Sequence, residues 1–540
     1  MDKSIAVLPF HNDSPDKEND YFINGTMEDI LDNLCKIKDL RVISRTSVEQ
    51  YRNNTQLIPA IAKDLRVSYI LEGSMQKYEN SIKLTVQLID SKDSHIWSKT
   101  YRRELNRADD YFAMQSEIAE LIAVEIKVVI TPGELELIEK IPTVSLSANE
   151  YYKRGKQEII NYYHHEGGHM ALESAREMFY KALEHDSTFA KAYAGLAEVA
   201  FYPSMEEEIF AGDYLDTVLA YVNTALYYDD KIAEAYHLRA FYYWNKEKLY
   251  EKALDDLNKA LELNPNDDEI YDSRGNLLFG ILEEYTKGIV DFEMAIERNS
   301  GAELSKRISR LARCYNDLGF YNIGKYYSRQ RLNLDGDSAG YYNALRMTAL
   351  LEENLETVFE LEEKIREFRP QFRVGGWLGV AVGNNDVIIQ QVKEELEQIE
   401  REGTEPIYSP YFIGYGLWLM GEYERAEYYF DLQIKNSQEI LALNRDRPDM
   451  GNPVYNMLLA AAFSGRKELA INCMEDLSSL TLSKLLIALI RLNPMIEPIR
   501  DDPRYKELMQ IMLDKFHAAH EEVREWLEET GRMEQFNQAN

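Results

Sequence analysis

A small side chain recurs at a nearly constant interval in the middle of the chain. Ala182, Ala225, Ala260 and Ala295 follow one another at intervals of 43, 35 and 35 residues, each in an amphipathic segment. A small residue at a helix crossing lets two helices approach closely, and a large aromatic side chain fills the space beside it. One pair of helices cannot bury its apolar face alone, so copies at a fixed interval stack into a superhelix. We therefore predict an array of stacked helical pairs.

The fullest copy of this pattern is "EAYHLRAFYYWNKEKLYEKALDDLNKALELNP" (234–265). Its template positions are Tyr236, Ala240, Tyr243, Ala253, Leu257, Ala260 and Pro265. The segment resembles a tetratricopeptide (TPR) repeat, a helical pair with a period of about 34 residues. Neighbouring copies fit less fully. We predict TPR repeats over 148–345 and divergent TPR-like helical repeats with a C-terminal cap over 346–540.

The first part of the chain has a different periodicity. "SIAVLPF" (4–10) and "LRVIS" (40–44) are short apolar runs typical of buried strands. "VSYILEGSMQKY", "SIKLTVQLID" and "HIWSKTYRREL" alternate with period two and are separated by short polar turns, which predicts an antiparallel meander. A helix over roughly 109–130 follows. These elements predict an α+β domain, a mixed sheet with helices, over 1–133, and a linker over 134–147.

Five blocks in this part resemble the TolB-like N-terminal domain. They are "IAVLPF", "DLRVISRTS" (39–47), "YILEGSMQ" (69–76), "LTVQLIDS" (84–91) and "HIWSKTYRREL" (95–105). The resemblance implies a non-catalytic domain, found on the extracytoplasmic side of membrane-anchored transcription regulators or beside cyclase or kinase modules. Together with the TPR repeats, it implies the sensory portion of a bacterial signalling or transcription-regulatory protein. The DNA-binding and membrane segments usual in such regulators are missing here.

The net negative charge of the chain disfavours anionic partners. The 61 Lys and Arg residues against 93 Asp and Glu give a net charge of -32, a field that repels phosphate backbones and anionic membranes. We expect no direct nucleic-acid binding. The sequence has no apolar run of about 18 residues, so we expect no membrane insertion by this chain. The sequence as written predicts a cytoplasmic location, and a periplasmic one if it is a fragment of a membrane-anchored regulator.

The stretch "YYHHEGGHM" contains the HExxH pattern of zinc metalloproteases at His165-Glu166-Gly167-Gly168-His169. Such a zinc site needs a continuous helix, because only the i, i+4 spacing brings both imidazoles to one metal. Each of the two glycines costs about 1 kcal/mol in a helix interior. We therefore predict a turn between two helices and no catalytic residues, bound metal or cofactor. A zinc hydrolase is the less favoured alternative.

These observations favour a non-enzymatic interaction module with a protein or peptide partner. The first helix of each TPR pair forms a groove, and a mixture of aromatic and charged side chains there would accept a basic or amphipathic segment. Counted from the repeat template, the groove positions are Tyr152, Lys156, Ala194, Glu198, His237, Phe241, Trp244, Asp272, Asn276 and Phe279. The alternative function is small-molecule sensing through the α/β domain, with the repeats relaying the signal. A homodimer is left open.

A row of polar side chains at 44–47 follows the second predicted strand. Strand ends often carry ligand sites, but hydroxyl groups in such places usually bond to the local backbone. We expect Ser44, Thr46 and Ser47 to cap the next turn or helix.

Overall fold

A computed structural model describes residues 3–14, 19–52, 56–105, 107–163, 168–206, 213–301, 303–372, 380, 385–403, 409–442, 452–479 and 484–539. The chain forms two compact units. The first contains residues 1–282 and 290–304, and the second contains residues 283–289 and 305–540.

The first unit opens with a mixed sheet. Its strands are β1 (Ser4–Val7), β2 (His11–Asn12), β3 (Arg41–Val42), β4 (Tyr69–Tyr78), β5 (Ser81–Asp90) and β6 (His95–Glu104). The order is β3-β1-β4-β5-β6, and β2 also pairs with β4. Strand β1 is parallel to β3 and β4, whereas β4, β5 and β6 form the predicted antiparallel meander. The apolar alternation of β5 places Ile82, Leu84, Val86 and Leu88 in the core.

Five helices belong to the sheet region. They are α1 (Asp20–Cys35), α2 (Arg45–Val48), α3 (Ile58–Asp64), α4 (Ala108–Ile126) and α5 (Pro132–Ile138). Helix α4 ends before the predicted residue 130 because Lys127 takes a left-handed conformation with a φ of 60°. Helix α5 starts with a capping box between Thr131 and Glu134. Its last residue, Ile138, lies within the stretch predicted as a linker and is buried in the core of the sheet region.

The predicted strand at 40–44 is shorter than expected. Only Arg41 and Val42 pair as a strand, with β1. Alternate backbone donors point away from β1: the Val42 N–H bonds to the side chain of Asn266 at 3.1 Å, and the Ser44 N–H bonds to the Arg298 carbonyl at 3.0 Å. The Ile43 N–H between them still bonds to the Ile5 carbonyl of β1 at 3.0 Å. The outer edge of this strand is therefore occupied by helical-repeat residues and not by another strand.

Consecutive helices follow the sheet region. They are α6 (Leu146–Tyr163), α7 (His169–His185), α8 (Ala190–Glu206), α9 (Asp213–Tyr228), α10 (Ala233–Tyr242), α11 (Tyr250–Leu263), α12 (Asp268–Gly280) and α13 (Tyr285–Arg298). A single π-helical turn, Tyr243–Glu247, extends α10. The predicted fold class, an α+β portion followed by an all-α TPR-like solenoid, is confirmed.

The recurring alanines occupy the positions that the packing argument requires. Ala182, Ala225, Ala260 and Ala295 are all 0% exposed. Near Ala182, the ring of Phe179 fills the gap between the first helices of two pairs. A Cβ atom at Gly155 of α6 or Gly195 of α8 would lie 2.6 Å from this ring, so the aromatic residue fits only because both facing positions lack a side chain.

The second unit is helical throughout its described residues. Its helices after α13 are 304–317, 321–335, 338–351, 355–368, 385–402, 410–419, 423–442, 453–463, 467–479, 484–492, 503–529 and 532–539. One apolar core joins residues from Ala349 to Met512. The segment predicted as a C-terminal cap contains a 3₁₀ helix, Pro494–Ile499, followed by the long helix Pro503–Glu529.

Candidate functional site

The predicted groove residues lie on neighbouring first helices of the repeat. We call the surface formed by α6, α8, α10 and α12 the first-helix face. Tyr152 and Lys156 lie on α6, Ala194 and Glu198 on α8, His237 and Phe241 on α10, Trp244 on the following π turn, and Asp272, Asn276 and Phe279 on α12. Apart from Ala194, which is buried, all are partly exposed.

Two polar contacts cross this face between successive helices. The Lys156 Nζ donates to Glu198 Oε2 at 2.7 Å, joining α6 to α8. Burial by itself lowers the pKa of Lys156, but the neighbouring groups, Glu198 first among them, together outweigh that effect, so the pKa is raised. His237 Nε2 and Ser273 Oγ are 2.8 Å apart, joining α10 to α12. Burial lowers the pKa of His237 to about 4, so the imidazole is neutral at pH 7.

Aromatic contacts also cross the face, at the C-terminal ends of the first helices. The rings of Tyr162 and Tyr202 lie 5.4 Å apart between α6 and α8. The rings of Phe201 and Phe241 lie 4.5 Å apart, edge to face, between α8 and α10. Of these four residues, only Phe241 was predicted from the sequence as a groove residue. The signal for the others is an aromatic doublet within the last two turns of three successive first helices: "YY" (162–163), "FY" (201–202) and "FY" (241–242).

Three of the predicted groove residues pack towards the interior of their own pair. Tyr152 lies against Phe179 and Phe189, with ring centroids 5.8 and 5.2 Å away. Phe279 lies 6.3 Å from Phe292 of α13. Trp244 packs against the core of the α10–α11 pair. Their large side chains therefore stabilise the helical pairs.

The last two residues of the HExxH motif, Gly168 and His169, lie at the start of a helix. Helix α6 ends at Tyr163 and α7 begins at His169, and Gly168 is the N-cap with a φ of 52°. Such a φ favours glycine. The other residues of the motif, His165, Glu166 and Gly167, lie outside the described residues. Within the part of the chain that the structure describes, no group of three or more His, Cys, Asp or Glu side chains could hold a metal ion.

The hydroxyls at 44–47 have a different role from the predicted one. Ser44 is the N-cap of α2, but its side chain makes no capping hydrogen bond. It lies 2.9 Å from the Ser47 hydroxyl, and Ser47 Oγ accepts a 2.7 Å hydrogen bond from the backbone N–H of Ser300. The Asn299 amide also approaches Ser44 Oγ, at 3.5 Å. These side chains attach the sheet region to the residues that follow α13.

A buried ion pair joins the sheet region to the first repeat helix. Lys153 of α6, with a side chain 2% exposed, lies 2.8 Å from Asp29 of α1. Gln115 donates a second 2.8 Å bond to the same carboxylate. The lysine stem crosses α1 at Gly25, where a Cβ atom would lie 2.6 Å from it. Burial lowers the pKa of Lys153, and the attraction of Asp29 opposes this effect.

Asn266, in the turn before α12, bonds to the sheet region at several points. Its amide nitrogen donates to the carbonyls of Cys35 at 3.2 Å and Ile37 at 3.1 Å, and its oxygen accepts from the N–H of Val42. Asn266 is 2% exposed. The sheet region therefore contacts the repeat through helix α6 and through the turn before α12.

Comparisons with known proteins identify relatives of parts of the chain. Residues 1–121 match the family model described as the second domain of a HilA/YgeH-like transcriptional regulator. A protein of Rhizobium meliloti (strain 1021) named "Putative adenylate cyclase 3" is 36% identical over 198 residues. The match covers 36% of this chain and 32% of that protein, so the chain spans about a third of the length of this curated relative.

Solved TPR structures resemble parts of the chain. YrrB, described as a TPR protein with an unusual peptide-binding site, is 22% identical with a TM-score of 0.29, covering 36% of this chain and 94% of its own. PilF of Pseudomonas aeruginosa is 19% identical with a TM-score of 0.32, covering 42% and 95%. A tetratricopeptide repeat protein from Parabacteroides merdae is 14% identical with a TM-score of 0.24, covering 68% and 100%.

Among the helices of the described residues, none combines the length and the apolar character needed to cross a bilayer.

Proposed function

We propose that this chain is a non-enzymatic interaction module that binds a segment of a partner protein on the first-helix face. The observation that carries this proposal is the set of aromatic contacts across α6, α8 and α10. Tyr162, Tyr202, Phe201 and Phe241 are partly exposed and form contacts between three successive helices. Large, rigid aromatic side chains are the usual anchors of protein interfaces because they bury much area with few rotatable bonds.

The charge of the chain favours a basic partner segment. Its net charge of -32 attracts cationic sequences and speeds their encounter with the face. The Lys156–Glu198 pair lies on the same face and supplies a polar boundary beside the aromatic contacts. A basic amphipathic segment would place its apolar residues against the aromatic rings and its cationic residues towards the surrounding carboxylates.

The relatives support a place in signalling. The matched family is one of transcriptional regulators, and one relative is named as a putative adenylate cyclase. We propose that this chain is the sensory portion of a bacterial signalling or transcription-regulatory protein, in the TolB-like and membrane-anchored setting that its N-terminal blocks suggest. Catalysis or DNA binding in such a protein would then belong to other domains.

A peptide-display selection on the purified chain tests this function. Random peptides of about 15 residues are selected for binding, and the result that supports the proposal is enrichment of basic amphipathic sequences that compete with one another for one site. Enrichment of acidic sequences would contradict the proposed partner chemistry. Failure to enrich any sequence over a blank support would contradict partner binding.

A further inference from the structure

A second concave feature lies between the sheet region and the first repeats, apart from the aromatic part of the first-helix face. It is a cleft with a volume of about 80 Å³. Its walls come from α1, α4, the residues after α5, and the starts of α8 and α10. Its polar lining includes Asp32, Asn33, Lys36, Ser116, Lys191 and Glu234.

The charges in this cleft are of both signs. The Lys36 ammonium donates to two neutral acceptors, Asn33 Oδ1 at 2.8 Å and the Leu137 carbonyl at 3.0 Å. Lys191 reaches Asp32 at 3.3 Å, longer than a close charge-assisted hydrogen bond. Burial, together with the neighbouring charge of Lys191, lowers the pKa of Lys36 to about 8. An anionic group here would relieve the repulsion between the two lysines.

Carboxylates line the same cleft as the lysines. Burial raises the pKa of Asp32, an effect that Lys191 opposes and the charge of Glu234 reinforces. A cationic group near Asp32 and Glu234 would stabilise both carboxylates. The other charges in the wall have partners already: Lys140 lies 2.5 Å from Asp229, and Asp29 is bonded to Lys153.

The size of the cleft limits what can enter. A cavity needs roughly 10–15 Å³ to hold one water molecule, which has one non-hydrogen atom. The 80 Å³ of the cleft therefore accommodates on the order of six non-hydrogen atoms. A small amino acid has that size and carries a carboxylate and an ammonium group on adjacent atoms. It therefore matches both the volume and the two opposed charges.

We propose that this cleft binds a small zwitterion of the amino-acid class, with its carboxylate beside Lys36 and Lys191 and its ammonium group beside Asp32 and Glu234. The site would give the chain a small-molecule input that is separate from partner binding. The aromatic contacts at Phe201 and Phe241 are not part of the cleft. A failure to bind a zwitterion therefore does not contradict partner binding on the first-helix face, and a failure to bind a partner does not contradict the cleft site.

Isothermal titration calorimetry on the full chain tests the site. The probes are glycine, L-alanine and L-serine as zwitterions, acetate as the carboxylate alone, and ethylammonium as the amine alone. We expect at least one zwitterion to bind saturably with one site per chain, and the single-charge probes to bind at least about tenfold more weakly, because each satisfies only half of the cleft. Absence of zwitterion binding, or equal binding of acetate, would overturn the proposal.

Two variants locate the binding and two others serve as matched controls. K36M and E234Q should each weaken the zwitterion at least about tenfold. K63M replaces an exposed lysine on α3, and E251Q replaces an exposed glutamate at the second position of α11, the same helical position that Glu234 has in α10. The controls should bind as the unmodified chain does. If K36M fails to fold, as judged by circular dichroism, the exposed E234Q decides alone, and unchanged affinity in that variant counts against the site.

Discussion

Arg239 of α10 and Asp256 of α11 form a bidentate ion pair, with both nitrogen–oxygen distances at 2.7 Å. The same pair recurs 35 residues later as Arg274 of α12 and Asp291 of α13, at 2.7 and 2.8 Å. In both pairs the aspartate side chain is less than a tenth exposed. Each pair joins the first helix to the second helix of one repeat, so the repeat interval is set by a buried polar contact as well as by alanine packing.

Replacing one member of this recurring pair should destabilise the first unit strongly. Breaking a buried ion pair costs roughly 3–5 kcal/mol, because it leaves a buried charge without its partner. The Arg274 side chain is 23% exposed, so solvent partly stabilises its charge when the partner is lost. For D291N we therefore expect a loss at the lower end of this range, about 3 kcal/mol in the free energy of unfolding measured with urea. The control is E173Q, which breaks the exposed Arg176–Glu173 pair and should cost under about 1 kcal/mol. Equal effects of D291N and E173Q would contradict the structural role of the pair.

A larger side chain at a recurring alanine should also destabilise the repeat. Ala225 of α9 is 0% exposed, so A225L must displace its neighbours and should cost about 1–3 kcal/mol in the free energy of unfolding. Ala220 lies on the same helix and is exposed. A220L should therefore leave the unfolding midpoint nearly unchanged. If A225L is as stable as A220L, Ala225 does not lie at a close helix crossing.

The stability of the chain should depend on pH through His237. The pKa of this imidazole is lowered from 6.5 to about 4 by burial. Below pH 6.5 the unfolded chain therefore takes up a proton that the folded chain does not, and this contribution to stability is lost as the pH falls towards 4. Between pH 7 and 4.5, the free energy of unfolding should fall less in H237Q than in the unmodified chain. Because one pKa unit corresponds to 1.36 kcal/mol, the difference between the two proteins should be at most about 3 kcal/mol. Parallel pH profiles of the two proteins, measured by thermal unfolding, would show that His237 is protonated equally in both states.

The ion pair between the sheet region and the repeat gives a further prediction. K153M leaves the Asp29 carboxylate without its cation in a buried position, which should cost roughly 3–5 kcal/mol. The double variant K153M/D29N removes both charges and should recover much of this loss. K181M, which breaks the exposed Lys181–Glu177 pair, should have little effect. No recovery in the double variant would mean that Lys153 stabilises the junction through its packing alone.

The parts of the fold that the sequence predicted are those with a regular period. The alternation in β5 follows from the geometry of a single strand, and the interval between the alanines at 225, 260 and 295 follows from the length of one stacked helical pair. Helical pairs and the meander could therefore be placed before the structure was known. The end of α4 was placed too late, since nothing local distinguishes Lys127 from its helical neighbours.

The contacts that could not be predicted join residues far apart in the chain. Ser47 was expected to cap a helix, but its hydroxyl accepts from Ser300, 253 positions away. A lysine in an amphipathic helix is normally solvated, so nothing marked Lys153 as buried. The cleft around Lys36 and Lys191 depends in the same way on how the sheet region docks against α8 and α10. Sequence periodicity describes each element but not the side chains that two elements bring together.

The affinity of a display-selected peptide for two matched variants tests the central claim, partner binding on the first-helix face. F241S removes an aromatic ring that contacts Phe201 across α8 and α10, whereas Y227S removes a tyrosine on α9 that is 82% exposed and outside the face. In fluorescence anisotropy titrations we expect F241S to weaken the peptide at least about tenfold, equivalent to about 1.4 kcal/mol, and Y227S to change the Kd less than about twofold. Equal affinity of F241S and the unmodified chain would contradict binding at this face.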